Sequence, residues 1–217
     1  GRLGVGLIGA GDFARAMHLP LLKRSKDFGL RGVCGRRGPN VQHVARQFGA
    51  AYAATDVEDI FGDPLVKVVW ITTPHDTHAR LAVRALEAGK HVFVEKPLGL
   101  TLEECNRVRD AARSSDRLLT VGFNRRFAPS SQAAREHFAD SSQPKEVLYR
   151  VRAGTIPEGN WLDDPAIGGG RVFGECVHFF DWMAWFLNEE PRQIQTVRAP
   201  GRDEGVAVVI QFGGGSV

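Results

Sequence analysis

Apolar residues in this chain follow two alternating periods. A continuous run, Val5-Gly6-Leu7-Ile8, ends in Gly9-Ala10-Gly11-Asp12-Phe13-Ala14. It gives way to residues spaced as on a helix (Phe13, Ala14, Met17, Leu21, Leu22), which predicts strand, tight turn and helix. Leu30 to Gly35 repeats the strand pattern, and Val41, Val44, Ala45 and Phe48 repeat the helical one, closed by Gly49. A short strand at Ala51 to Ala53 and a small helix capped near Thr55 or Asp56 follow. The β-branched run Val66 to Thr72 reads as a strand buried on both faces. Asp76 or Thr77 is placed to cap a helix through Leu81, Val83, Ala85 and Leu86, and Lys90 to Val94 is the next strand. Thr101 and Glu104 form a capping box for a further helix, and Leu118 to Val121 is the last strand of this half. Alternating strands and helices over residues 1–123 predict an α/β domain with a doubly wound parallel sheet.

After residue 123 the pattern shifts. Pro129 to Phe138 reads as a linking helix, Ser141 to Pro144 as a turn, and Glu146 to Ala153 as an alternating strand. A polar loop with Trp161 and then Gly168-Gly169-Gly170 precede a helix-like run from Arg171 to Leu187. Strands follow near Arg192 to Arg198 and Gly205 to Phe212, so residues 124–217 are expected to form a second, sheet-containing domain. The chain opens without Met and closes on Gly213 to Val217, which reads as a hairpin turn entering its return strand. An excised piece of a longer protein, its second domain incomplete at the C-terminus, is the expectation.

Composition narrows the class. With 43% hydrophobic residues in 217, the chain is expected to be a soluble globular protein. Lys and Arg exceed Asp and Glu by 28 − 25 = 3, spread rather than blocked, which suits a small anionic ligand and gives no case for nucleic acid. Cys34, Cys105 and Cys176 are scattered and odd in number, which excludes a disulfide framework and fits a reducing cytoplasm. No signal peptide is expected, and Val177 to Leu187, the most apolar stretch, is interrupted by Asp181 and too short to span a membrane.

The chemistry concentrates at strand ends. In the first turn Gly9 permits the bend, Gly11 lets the backbone approach a pyrophosphate, Ala14 allows close packing, and amides from Asp12 and Phe13 onward receive phosphate charge. At the end of the second strand, where Asp or Glu would bond a ribose hydroxyl, stand Gly35, Arg36 and Arg37. Either the arginines pair with a 2′-phosphate, which favours NADP(H) over NAD(H), or they are a solvated turn. Thr73, Pro74, His75 and His78 follow the central strand as ligand contacts; no third ligand has the spacing to make the histidines a metal site. Lys96, between Glu95 and Pro97, is either a surface cation or a partly desolvated amine with a lowered pKa, as a general base requires. Glu175, His178, Asp181 and Trp182 recur at helical steps and share a face.

Taken together, Gly-Ala-Gly-x-x-Ala, Thr-Pro-x-x-x-His, Ala88-Gly-Lys-His-Val-x-x-Glu95-Lys96-Pro97, and Gly-Gly-Gly followed by His178 and Asp181 resemble the Gfo/Idh/MocA oxidoreductase family over nearly the whole chain. Gly122 to Pro129 and Gly174-Glu175-x-x-His178 are similar to the branch forming the carboxyl half of bi-domain proteins with a zinc-type alcohol-dehydrogenase-like amino half. The resemblance implies a Rossmann domain followed by an α+β domain with an open, mostly antiparallel sheet. It also implies hydride transfer between a nicotinamide and a hydroxyl carbon of a sugar, sugar nucleotide or cyclitol. Lys96 would be the acid/base and His178 would bond or deprotonate the same hydroxyl. Glu95, Lys96 and Asn124 would join the cofactor contacts, and Arg126, Trp161 and Asp181 would meet substrate. Many relatives have Asp four residues before the catalytic His; here that position is Gly174, and Glu175 is the substitute. A nicotinamide-binding regulator without turnover and an NAD-assisted glycoside-cleaving enzyme are the alternatives, and a homo-oligomer through the second-domain sheet is expected.

Overall fold

The computed structural model describes residues 1–139, 143–154, 156–198 and 205–217. They form two compact units, residues 1–122 with 165–169, and residues 123–164 with 170–217. Among the described residues no helix is long and apolar enough to cross a membrane.

In the first unit, β1 (Leu3–Ile8), β2 (Phe28–Cys34), β3 (Tyr52–Ala54), β4 (Val66–Ile71), β5 (His91–Val94) and β6 (Leu119–Val121) make one parallel sheet in the order β3-β2-β1-β4-β5-β6. The order reverses between β1 and β4, which opens a crevice outside their carboxyl ends. A π-helical turn (Ala14–His18) runs into α1 (Leu19–Arg24), followed along the chain by α2 (Gly38–Phe48), α3 (Glu58–Gly62), α4 (His78–Glu87) and α5 (Leu102–Ser115). The central strands are apolar because both their faces are covered. Leu7 joins a cluster with Val33, Val41 and Val44, whereas its neighbour Ile8 joins Val69, Ile71, Leu81 and Leu86. Val5, Leu7, Val69 and Ile71 are fully shielded, and such burial stabilises by about 1.5–3 kcal/mol per side chain.

The ends of these elements follow local chemistry. Glu104 N donates to Thr101 Oγ1 (3.1 Å) and Thr101 N donates to Glu104 Oε2 (3.2 Å), completing the capping box on α5. Asp56 Oδ1 accepts from Glu58 N (3.0 Å) at the start of α3. Neither Asp76 nor Thr77 caps α4, because a 3-10 turn (His75–Thr77) enters it and the Thr77 hydroxyl donates backward to Pro74 O at 2.7 Å. The first helix buries only part of the expected set, Ala14 and Leu22. Ala14, His18 and Leu22 face inward, whereas Phe13, Met17 and Leu21 are about half exposed (50, 49 and 52%). Ala14 is the small residue the sheet can accept closely, and positions four apart follow it.

The second unit holds 3-10 turns at Asn124–Phe127 and Trp161–Asp163, α6 (Pro129–His137), a π-helical turn (Val172–Cys176), α7 (Val177–Leu187) and the antiparallel pair β7 (Pro191–Arg198) and β8 (Val206–Phe212). Leu187, Ile210 and Phe212 are its buried centre, with Phe180, Met183 and Val208 packed against them. Trp182 stacks on Phe186 (4.8 Å between centroids) and Tyr149 on Phe179 (4.7 Å). An apolar cavity of about 280 Å³ lies among Phe180, Ala184, Ile194, Val208, Ile210 and Phe212. The strand expected at Glu146 to Ala153 is absent. Burial alternates as far as Tyr149, but among the described residues the segment's backbone partner is Val217: Val147 N donates to Val217 O (2.8 Å) and Val217 N to Lys145 O (3.0 Å). Side-chain alternation without a neighbouring backbone makes no ladder. Phe212 N bonds Ser216 O (2.9 Å), so the chain does turn back at Gly213 to Ser216. Of the turn expected at residues 141–144, Ser141 and Ser142 lie outside the described residues.

Candidate active site

The glycine turn leaves β1 at the crevice. Gly9 has φ 104°, and a Cβ there would stand 2.7 Å from the Thr72 carbonyl, so only glycine fits. The Thr72 hydroxyl donates to Gly9 O (2.6 Å) and Gly9 N donates to Cys34 O (2.9 Å), which pins the turn to β4 and β2. The first helical backbone bond runs from Arg15 N to Gly11 O (3.0 Å). The amides of Asp12, Phe13 and Ala14 therefore have no acceptor within the helix. Gly11 is exposed and a Cβ on it would meet nothing within 4 Å, so the approach to those amides is open. This cradle fits the pyrophosphate of a nicotinamide dinucleotide. Arg36 and Arg37, both exposed, follow β2 at the neighbouring strand end.

Lys96 emerges from the carboxyl end of β5, and Glu95 N bonds Ile71 O (2.9 Å) to hold that end against β4. Its side chain is half-buried, and the Lys96–Pro97 peptide is cis. The two histidines expected to contact cofactor are both engaged with backbone. His75, 5% exposed, donates from Nδ1 to Gly168 O (2.8 Å), while Asp76 N bonds Ile167 O (3.1 Å). His78, 1% exposed, has Nδ1 2.7 Å from Pro97 O and Nε2 2.8 Å from Thr73 O. Burial pushes the His78 pKa down, against the pull of those two carbonyls. Among the described residues no group of three or more His, Cys, Asp or Glu is arranged to hold a metal ion.

Burial, with smaller contributions from His78 and Lys96, lowers the His75 pKa from 6.5 to about 4, although the Gly168 carbonyl opposes it. An unfolded chain therefore binds a proton at this residue that the folded chain refuses. Stability is expected to fall as pH drops from 6.5 to about 4, by about 3 kcal/mol in full, and to hold above that window. Urea unfolding across this range should show the slope, and His75→Asn should flatten it; an unchanged slope in the variant would refute the assignment.

In the second unit His178 is the second residue of α7, directly after the π-helical turn that contains the buried Gly174. Its ring meets Phe123 edge-on at 6.4 Å. Such π-helical insertions recur at functional sites, and the other one here ends at His18. Glu175 accepts from Arg171 Nη1 (2.7 Å), and Arg171 also donates to Gly154 O (2.6 Å). Arg126 forks onto Asp181, its Nε at 2.7 Å from Oδ2 and its Nη2 bonded to Oδ1, tying the turn at Asn124–Phe127 to α7. Asn124 is exposed at the start of that turn. Trp161 is 42% exposed on its own short turn, capped by Asn160.

The residue that sequence patterns missed is His18. Its Nε2 lies 2.8 Å from Glu95 Oε1, both residues are 8% exposed, and Phe13, Trp70 and Phe93 meet the ring edge-on at 5.3–5.5 Å. The signal was present: position 18 falls between Ala14 and Leu22 at helical four-residue steps, where a polar ring requires a buried partner.

The chain is 29% identical over 230 residues to 1,5-anhydro-D-fructose reductase of Ensifer adhaerens, covering 98% of this chain and 66% of that protein. It is 26% identical over 222 residues to myo-inositol 2-dehydrogenase of Thermotoga maritima, covering 98% and 66%. It superposes on levoglucosan dehydrogenase in complex with NADH and levoglucosan with TM-score 0.84 and 26% identity, over 100% of this chain and 65% of that one. The chain thus spans about two thirds of the length of the curated relatives it matches. Residues 3–123 match the model of the oxidoreductase family with an NAD-binding Rossmann fold, and the chain belongs to that family, Gfo/Idh/MocA.

Proposed function

We propose that this chain carries the site of an NAD(P)-dependent oxidoreductase acting on a hydroxyl carbon of a sugar, sugar nucleotide or cyclitol. The observation that carries the reading is Lys96, a half-buried amine at the carboxyl edge of the sheet whose β1–β4 crevice holds the glycine cradle. An alcohol loses a proton as its hydride departs, and an amine so placed takes that proton. When bound, the nicotinamide supplies the hydride acceptor. His178 is read as the second group on the same hydroxyl, with Glu175 adjusting its surroundings through Arg171. His75 and His78 shape the cofactor loop, Thr73 and Pro74 line it, and Glu95 acts from beneath. Asn124 is read as a cofactor contact, Trp161 as a substrate contact, and Arg126 and Asp181 serve the substrate side as a pair. The names of the relatives, a sugar reductase and a cyclitol dehydrogenase, support the substrate class. A sugar and cyclitol screen followed by nicotinamide absorbance tests it. Net oxidation or reduction upholds the reading; bound cofactor that is never consumed turns it toward glycoside cleavage if a glycoside is cut, and toward a regulator if nothing turns over.

NADP(H) is the preferred cofactor in this reading, because Arg36 and Arg37 follow β2 where a carboxylate would repel a 2′-phosphate. Replacing both by serine is expected to weaken NADPH binding by about tenfold or more and to leave NADH within about twofold. Fluorescence titration of both cofactors decides. Assembly through the β7–β8 pair is also proposed, supported by Ile194 and Val197, exposed at 60 and 71% on β7. Sedimentation that finds monomers alone would remove it.

A further inference from the structure

Both residues flanking Lys96 are held by buried histidines, and the histidines belong to different helical segments. On the amino side, His18 Nε2 donates to Glu95 Oε1 (2.8 Å), and Glu95 Oε2 accepts the backbone N–H of Lys96 itself (3.3 Å). On the carboxyl side, His78 Nδ1 lies 2.7 Å from Pro97 O. His18 closes the helical turn that follows the glycine loop; His78 opens α4, and the single N–H of its neutral ring is assigned to Nδ1, which donates to Pro97 O, while Nε2 faces Thr73 O. Each ring thus ties the lysine turn to one wall of the crevice.

Neither arrangement is what packing alone would select. A buried imidazole destabilises unless its polar atoms are satisfied, and an apolar residue would fill either place without that demand. The chain also omits a side chain to seat the carboxylate, for a Cβ on Gly122 would stand 2.8 Å from Glu95 Oε2. Three aromatic rings pack edge-on against His18. Lysine has a long, flexible stem, so the position of its amine depends on how firmly the backbone beneath it is fixed.

We propose that His18, through Glu95, and His78, through Pro97, are a paired bracket that positions the Lys96 amine over the crevice. The proposal rests on the reading of Lys96 as the acid/base of a hydride transfer. With only six lysines in the sequence, reductive methylation with carbon-13 label gives few resonances, and Lys96→Arg identifies that of Lys96. In His18→Ala and His78→Ala that resonance should move toward those of exposed lysines. Hydride transfer should fall by about 100-fold while NAD(P)H affinity changes by less than about threefold. His18→Gln, which still donates to Glu95, should restore most of the rate. In a Lys96→Ala background the same substitutions should cause no further loss. An unmoved Lys96 resonance in folded variants, or an equal loss in the Lys96→Ala background, overturns the bracket. If the alanine variants do not fold, Glu95→Gln, which keeps the volume and weakens the pair, is read by the same criteria. A wild-type chain that turns over no sugar or cyclitol sinks the oxidoreductase reading, and the resonance comparison still decides the bracket.

Discussion

Lys96→Ala is expected to slow hydride transfer by about 1,000-fold, inside the 100- to 10,000-fold range of a positioned proton acceptor, with NAD(P)H binding preserved within about threefold. The separation of the two effects is the point. The cofactor's phosphates are assigned to the amides that begin the first helix, which the substitution does not touch. The amine is assigned first to the departing proton and only secondarily to the cofactor, so its loss should appear chiefly in kcat and in single-turnover rates rather than in affinity. Lys96→Arg should not rescue, because a guanidinium does not give up its proton at neutral pH. Stopped-flow nicotinamide absorbance and a fluorescence titration on the same samples make the comparison. If affinity collapses along with rate, Lys96 is a cofactor ligand and the proton acceptor lies elsewhere.

The second large effect separates two glycines only two residues apart. Gly9→Ala puts a methyl group 2.7 Å from the Thr72 carbonyl, at a φ of 104° that L-residues avoid, with backbone on the other side that has nowhere to go. A loss of about 2–4 kcal/mol in unfolding free energy is expected, together with loss of cofactor binding. Gly11→Ala meets nothing within 4 Å and is expected to leave stability within about 0.5 kcal/mol. It should nevertheless weaken NAD(P)H strongly, because the methyl group occupies the approach to the amide cradle. Urea denaturation with parallel titrations distinguishes the pair. NAD(P)H binding that survives Gly11→Ala would mean that the open space at Gly11 is not needed for a ligand.

How much of this was legible depends on how local each determinant is. The glycine turn, the Thr101–Glu104 capping box and the parallel strands are written in neighbouring residues, and the fold follows them closely. His75 and His78 were legible as special but their partners were not, because Gly168, Thr73 and Pro97 meet them through backbone carbonyls that carry no side-chain signature. His18 was hidden for a different reason: Phe13, Met17 and Leu21 make the more hydrophobic stripe, and the helix turns it outward. The alternating segment from Glu146 failed in the opposite sense, since its own pattern is right for a strand and the missing ingredient is a neighbour. The partner of Glu175, Arg171 four residues earlier, follows from helical spacing, yet nothing in the sequence singles out that arginine.

The chain leaves the first unit at Gly122 and contributes Pro165–Gly169 to it again more than forty residues later. Gly168 and Ile167 in that returning stretch are the acceptors for His75 and for the amide of Asp76. The nucleotide-binding half is therefore not an interchangeable cassette, although its sheet is complete by residue 121. A gene fragment stopping at β6 would encode every strand and helix described for the first unit and still strand a buried imidazole without its carbonyl. Recombination that shuffles this half between proteins must bring a compatible strap from the other half, which links the inheritance of the two sequences.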